Sequence, residues 1–341
     1  MEKTDVLIAG GGPAGLGLAK KLAEAGVDFI LLEEHKDFFQ KACGEGLCRR
    51  DREHDMTELH GGKAGIANET DTLSIFINSS LLIKVESEAY VLDKTEFEKD
   101  MARQAIKKGG EIRMNQRFLS FERTDGWITA NPQGIACRCL VGCDGAFSKV
   151  REFFGERPSV KAFAIAAYEQ KKEEDHDLKF YIGKNVISGG YAWRFPKKDS
   201  YNVGVGALRK DIVMPAYRRL FDAEDMKGAF IPSDLPCRTY FEGGILIGDA
   251  ASQTDAFTGG GINYSLIASK LAADVLAKIS RSGGRFSEQN LKEYESLWKK
   301  AMYAQLRNSY LLGRFVARTG LTDKDFLLRR LKWVLKTFMK K

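Results

Sequence analysis

Long apolar runs are missing from this sequence: nothing approaches the ~18 consecutive apolar residues that cross a bilayer, so no membrane-spanning segment is expected. Cysteine is scarce, six in 341 residues, and reads as reduced thiols rather than a disulfide framework. Cys137, Cys139 and Cys143 form C-x-C-x-x-x-C on an apolar run with no histidine nearby. Core packing is expected there rather than zinc or an iron–sulfur cluster, and no metal site is expected elsewhere. His54 and His60 have no metal-ligand spacing and are expected at the surface. A nucleophile elbow with an ordered Ser–His–Asp set is also absent, which leaves hydrolase chemistry without support. The net charge of +7 is uneven: residues 281–341 hold 15 Lys and Arg against 5 Asp and Glu, so the first 280 carry −3. A near-neutral body argues against a nucleic-acid-binding core. The first apolar strand begins at about the fifth residue, too early for a secretion signal, and a cytoplasmic location is expected.

What the sequence does hold is concentrated first in residues 5–33, DVLIAGGGPAGLGLAKKLAEAGVDFILLE. A short apolar run suits a buried parallel strand. Gly10, Gly12 and Gly15 follow at G-x-G-x-x-G spacing, then an alanine- and leucine-rich helix and a second apolar run ending on Glu33. Gly10 permits the turn, Gly12 lets backbone approach a pyrophosphate, and Gly15 lets helix and strand pack closely. Glu33 stands where a carboxylate accepts hydrogen bonds from a ribose. Strand, helix, second strand and acid together point to an adenine dinucleotide.

Further along, residues 72–92 alternate as strands, and a helix is expected from Lys94 to Lys108, closed by Gly109 and Gly110. Glu111–Glu122 and Trp127–Ala130 read as strands of a meander, and Cys137–Gly142 as a further strand before the turn Cys143-Asp144-Gly145. Residues 160–208 carry four antiparallel-type strands, Pro215–Lys227 reads as helix, and Gly243–Asp249 reads as strand and turn before a helix over Ile262–Ile279. The last sixty residues are helical in pattern.

Three nucleotide-facing stretches occur in order: Gly10 to Glu33, then VGCDGAFSKVR at 141–151, then LIGDAASQTDAFTGGGINYSLIASKLAAD at 246–274. Together they resemble the flavoprotein class of aromatic hydroxylases, flavin halogenases and geranylgeranyl reductases. Two more stretches narrow the resemblance. Lys41-Ala42-Cys43-Gly44-Glu45-Gly46-Leu47 is similar to the cysteine loop of archaeal-type geranylgeranyl reductases, and Tyr191-Ala192-Trp193-Arg194-Phe195-Pro196 matches their Tyr-x-Trp-x-Phe-Pro strand. Alternation puts Tyr191, Trp193 and Phe195 on one face, an aromatic wall suited to a lipid chain.

The resemblance implies an α/β fold: a Rossmann-like FAD-binding domain of the glutathione-reductase/p-hydroxybenzoate-hydroxylase kind, an antiparallel-sheet substrate domain and C-terminal helices. The expected division gives residues 1–70, 93–150 and 240–285 to the discontinuous FAD domain, 71–92 and 151–239 to the substrate domain, and 286–341 to the helical segment. FAD would be held by Gly10, Gly12, Pro13, Ala14, Gly15, Glu33, Cys43, Gly44, Gly46, Asp144, Asp249, Gly260, Gly261 and Ile262. Asp249 would hold the ribityl chain, Gly260 to Ile262 would lie along the flavin ring and pyrophosphate, and Phe118 would offer backbone near the adenine. Lys94 stands where the family usually has Arg, keeping charge but losing the bidentate fork. Ala256-Phe257 replaces a common Pro, and the C-terminal region is shorter than in the archaeal lipid enzymes.

The implied reaction is reduction of isolated double bonds in a prenyl lipid: a proton reaches one alkene carbon and hydride from reduced FAD the other, in a site that excludes water. Cys43 is the candidate proton donor, with a backbone contact to FAD as its alternative role. NADPH or a reduced ferredoxin is left as the electron donor. An FAD- and NADPH-dependent monooxygenase acting on an aromatic or quinone substrate, and an electron-transfer flavoprotein, stand as the alternatives. Residues 326–341 form an amphipathic pattern, with Leu327, Leu331, Val334, Leu335 and Phe338 on one face and Arg329, Lys332, Lys336 and Lys340 opposite. That helix either packs on the body or makes a peripheral contact with an anionic membrane face. The oligomeric state is not legible.

Overall fold

A computed structural model describes residues 2–324, except 125 and 172. Two eight-stranded sheets organise them. In the first, Glu2–Ala9 lies at the centre, with Phe29–Leu32 and then Glu111–Arg113 parallel on one side, and Ile135–Gly142 and then Gly244–Leu246 parallel on the other. All four residues of Phe29–Leu32 and nearly all of Ile135–Gly142 are buried. Such continuous apolar runs are what a parallel sheet covered on both faces requires. Helix Pro13–Ala25 connects the first two strands and packs against Ile262–Arg281. The crossing is close because residue 17 is glycine and Ser269 Oγ donates to the Ala14 carbonyl at 2.6 Å.

The second sheet runs Lys227–Pro232, Lys161–Gln170, Ser200–Ala207, Ile187–Pro196, Asp177–Gly183, Ile66–Ile77, Ser80–Leu92 and Gly46–Cys48. Its pairs are antiparallel except Asp177–Gly183 against Ile66–Ile77, which is parallel. Asp177 locks that pair by accepting from Thr72 Oγ1 at 2.6 Å and Ser74 Oγ at 2.5 Å.

Several local expectations change. Glu111–Arg113 joins the parallel sheet, and the antiparallel meander is made by Ser120–Thr124, Trp127–Asn131 and Ile135–Gly142. The helix expected over 215–227 is Val213–Leu220, and Lys227 already begins an edge strand. His60 is fully buried, stacked on Phe97 with ring centroids 4.1 Å apart and its ring nitrogens facing two backbone carbonyls. His54 is partly buried. Cys137, Cys139 and Cys143 are core residues whose thiols burial pushes up. Helices Glu288–Trp298 and Ala304–Thr319 continue the chain. The amphipathic pattern over 326–341 lies outside the described residues. No helix among the described residues is long and apolar enough to cross a membrane.

Candidate functional site

A cavity of about 2040 Å³ runs from the glycine turn after the first strand, past the loop carrying Cys43, to the aromatic strand and helix Ala304–Thr319. This is about twice the ~1,000 Å³ of a roomy small-molecule pocket, which leaves space for a cofactor and a substrate together.

At one end, Gly10 has φ 103°, and a Cβ there would lie 2.4 Å from the Cys143 carbonyl oxygen. A Cβ at Gly15 would lie 1.9 Å from the Gly10 oxygen, whereas one at Gly12 would meet nothing within 4 Å. Gly10 and Gly15 thus build the turn while Gly12 leaves its open side. Two helices begin here, Pro13–Ala25 after Gly12 and Ile262–Arg281 after Gly261. Neither has a side-chain cap or an acid in its first turn. Residues at both N-termini line the same cavity, and free N–H groups at a positive dipole end suit a pyrophosphate. The donor set therefore suits an adenine dinucleotide on the residues present.

Glu33 lines the cavity with its carboxylate already engaged: Oε2 accepts from Gly11 N at 2.7 Å, and Oε1 accepts from His35 N at 2.9 Å. Phe118 lines the same end. Asp144 also reaches the cavity, but its carboxylate caps the helix Lys149–Phe153, accepting from Ser148 Oγ at 2.5 Å and Lys149 N at 2.7 Å. Among the described residues the Asp249 carboxylate accepts only from Thr254 Oγ1, at 2.8 Å, which leaves acceptor capacity for a polyol hydroxyl. Burial pushes its carboxyl up, against that bond and the Lys41 and Lys94 cations.

Lys94 and Cys43 face the middle of the cavity. Lys94 Nζ is 2.5 Å from Glu98 Oε1 and 4.4 Å from the centroid of the Phe39 ring. Burial pulls its pKa down, but the carboxylates of Glu98 and, less strongly, Glu45 hold it above the usual value. Cys43 Sγ accepts from Glu45 N at 3.3 Å, and burial pushes the thiol up despite the nearby Lys94 cation. The aromatic wall stands as alternation predicts: Tyr191, Trp193 and Phe195 face one way, with successive centroids 5.8 and 6.4 Å apart. Tyr191 OH donates to the Thr258 carbonyl, joining the wall to the glycine loop before Ile262.

Of the residues singled out from sequence, Gly15, Gly46 and Gly260 do not line the cavity; the others do. Gly46 serves packing, since a Cβ there would lie 3.1 Å from Phe195. Sequence reasoning missed two sets. One is the apolar far end, where Leu73, Ile75, Phe180 and Ile182 of the sheet join Leu312 and Phe315 of the helix Ala304–Thr319. The other is the polar cluster of Glu45, Tyr168, Lys197 and Asn202 behind Cys43. Only Glu45 carried a signal, an acid set between two glycines.

An FAD binding domain family matches residues 3–184, and a geranylgeranyl reductase catalytic domain family matches 161–228. The chain is 27% identical to the digeranylgeranylglycerophospholipid reductase of Methanosarcina acetivorans, over 97% of this chain and 89% of that protein. It is 29% identical to digeranylgeranylglycerophospholipid reductase 2 of Methanosphaera stadtmanae, over 87% and 83%. Among solved structures, a geranylgeranyl bacteriochlorophyll reductase-like protein from Thermoplasma acidophilum superposes with TM-score 0.82 at 22% identity, over 97% of this chain and 91% of that one. A probable FAD-dependent monooxygenase from Pseudomonas aeruginosa shares the fold with TM-score 0.74 at 18% identity, over 96% and 98%. The chain belongs to the FAD-binding-domain flavoproteins and, within them, to the geranylgeranyl reductase family of FAD-dependent oxidoreductases.

Proposed function

We propose that this enzyme reduces isolated C=C bonds in the prenyl chain of a polar lipid. The observation that carries the reading is the continuity of the cavity from the dinucleotide seat, past Cys43 and the Tyr191–Phe195 wall, into an apolar channel. A compact polar aromatic substrate of a hydroxylase would leave that channel unfilled. The names of the curated relatives support the same substrate class.

Bound FAD, once reduced, supplies the hydride. The protein's part is to hold the alkene against the aromatic wall, exclude water, and bring a proton to the second alkene carbon. Gly10, Gly12, Pro13, Ala14, Gly261 and Ile262 hold the pyrophosphate, and Glu33, Phe118 and Asp249 hold ribose, adenine and ribityl groups. Lys94, Gly44 and Cys43 border the flavin, and Tyr191, Trp193 and Phe195 bind substrate. Cys43 is the proton donor, a neutral thiol because burial raises it. NADPH or a reduced ferredoxin delivers electrons, and the lipid is collected at a membrane surface by a peripherally bound enzyme.

Anaerobic incubation of dithionite-reduced enzyme with geranylgeranylated lipid, followed by mass spectrometry, tests the reading. Gain of two mass units per turnover is expected. Products sixteen units heavier, formed only in air, would identify a hydroxylase instead.

A further inference from the structure

Behind Cys43, on the side away from the cavity, sits a buried polar cluster that packing alone does not require. Glu45 is 1% exposed and adopts φ 60°, a left-handed conformation uncommon for a residue with a side chain. The conformation directs its own N–H onto Cys43 Sγ at 3.3 Å, while its carbonyl accepts from Leu92 N at 2.8 Å. Its carboxylate is saturated. Oε1 accepts from Lys94 N at 2.9 Å and Lys197 Nζ at 3.1 Å. Oε2 accepts from Lys197 Nζ at 3.0 Å, Tyr168 OH at 2.9 Å and Asn202 Nδ2 at 2.8 Å.

Asn202, also 1% exposed, closes the arrangement. Its Nδ2 donates to the Cys43 carbonyl at 2.8 Å as well as to Glu45, and its Oδ1 accepts from Trp193 Nε1 at 2.8 Å. Indole nitrogen is a donor only, so the carboxamide has one orientation here. A single side chain thus ties the cysteine loop to the aromatic wall.

We infer that Asn202 and Glu45 are positioning residues that hold the Cys43 thiol in register with the Trp193 face on which the alkene rests. With the Glu45 N–H directed at the sulfur, the S–H bond turns away from the loop and towards the cavity that Cys43 lines. The same N–H and the Lys94 cation stabilise the thiolate left when the proton passes to the alkene carbon, and solvent returns that proton after turnover. The inference rests on the prenyl-reductase reading for its chemistry but not for its geometry.

The test combines a measurement that needs no lipid with one that does. In a Cys48→Ser/Cys237→Ser background, iodoacetamide labelling of Cys43 is followed by peptide mass in FAD-loaded protein. Asn202→Ala and Glu45→Gln are expected to raise the labelling rate about tenfold, and Tyr168→Phe, which removes one part-exposed hydrogen bond, about threefold. Unchanged labelling in all three overturns the inference, and Tyr168→Phe covers the case in which the buried variants fold poorly. Single-turnover lipid reduction then completes a double-mutant cycle. Asn202→Ala is expected to slow reduction about a hundredfold with Cys43 present and less than about threefold in Cys43→Ser. An equal penalty in both backgrounds shows that Asn202 does not act through Cys43 and also overturns the inference. Altered labelling in an enzyme with no lipid reductase activity would leave the clamp standing and remove the proposed function.

Discussion

Lys94 Nζ and Glu98 Oε1 lie 2.5 Å apart in a wall where both side chains are buried, one helical turn from each other and beside the Cys43 loop. Removing one charge from such a pair leaves the other desolvated and unpaired, a loss of about 3–5 kcal/mol. Lys94→Met is therefore expected to lower the urea-unfolding free energy of apoprotein by that amount. Lys94→Met/Glu98→Leu should recover most of it. The sign with pH is fixed by the direction of the shift. A lysine held above its usual 10.5 contributes stability fully below its unfolded value and loses it only as pH climbs through the folded one. The gap between wild type and Lys94→Met should thus be the same at pH 6 and pH 9; a gap that halves over this range would contradict the pairing.

Much of the nucleotide seat was legible because glycine carries unambiguous information. The spacing of Gly10, Gly12 and Gly15 maps directly onto a turn in which Cβ atoms at positions 10 and 15 have no room. Tyr191, Trp193 and Phe195 were legible for a similar reason, since strand period alone assigns a face. His60 was misread because nothing local distinguishes a surface histidine from one whose ring stacks on Phe97 and bonds its carbonyl, 37 residues away. Glu111–Arg113 was misplaced because three residues show no periodicity, and only their pairing with Ile30–Leu32 reveals the sheet they join. Asn202 gave no signal at all: its importance lies in partners 9 and 159 residues away.

Asp249 illustrates stability exchanged for binding. Burial raises its carboxyl above the usual 3.8, so the unfolded chain releases this proton first as pH rises. Stability therefore falls from the unfolded pKa up to the folded one and stays lowered above it. Asp249→Asn is expected to raise the melting temperature of apoprotein at pH 7 by a few degrees. The same change should weaken FAD about tenfold or more, because a ribityl hydroxyl loses a charged acceptor. Fluorescence titration of FAD and apoprotein melts measure the two effects separately. A variant both less stable and unaltered in FAD affinity would show that Asp249 serves the turn and not the cofactor.

Gly204 and Gly206 sit two residues apart on the strand beside the aromatic wall, yet differ sharply in what they permit. A Cβ at 204 would lie 2.1 Å from Trp193 Cζ2 and 2.4 Å from the Ile165 carbonyl oxygen. At 206 the nearest atom, Ala164 Cβ, is 3.4 Å away. Gly204→Ala is expected to destabilise the protein by about 2–3 kcal/mol and displace the indole. Gly206→Ala should stay within about 1 kcal/mol of wild type. Tryptophan emission and urea midpoints give the comparison, and equal behaviour of the two alanines would contradict the packing described here.

The apolar far end of the cavity yields a prediction about chain length. Phe315 is 57% exposed, yet with Leu312 it lines the same space as Leu73, Ile75 and Ile182. A prenyl chain long enough to leave the aromatic wall would cover that ring and gain about 1.5–3 kcal/mol from its burial. Phe315→Asp removes the gain and opposes it with a carboxylate that must lose water. The expected result is an increase in Kd of about ten- to a hundredfold for a four-isoprene chain. A two-isoprene chain, too short to pass the wall, should lose less than about threefold. Reduction of bound FAD by dithionite should proceed as in wild type, since Phe315 is no part of the dinucleotide seat. Equal loss for short and long chains would place the substrate's tail elsewhere and leave this helix only a structural role.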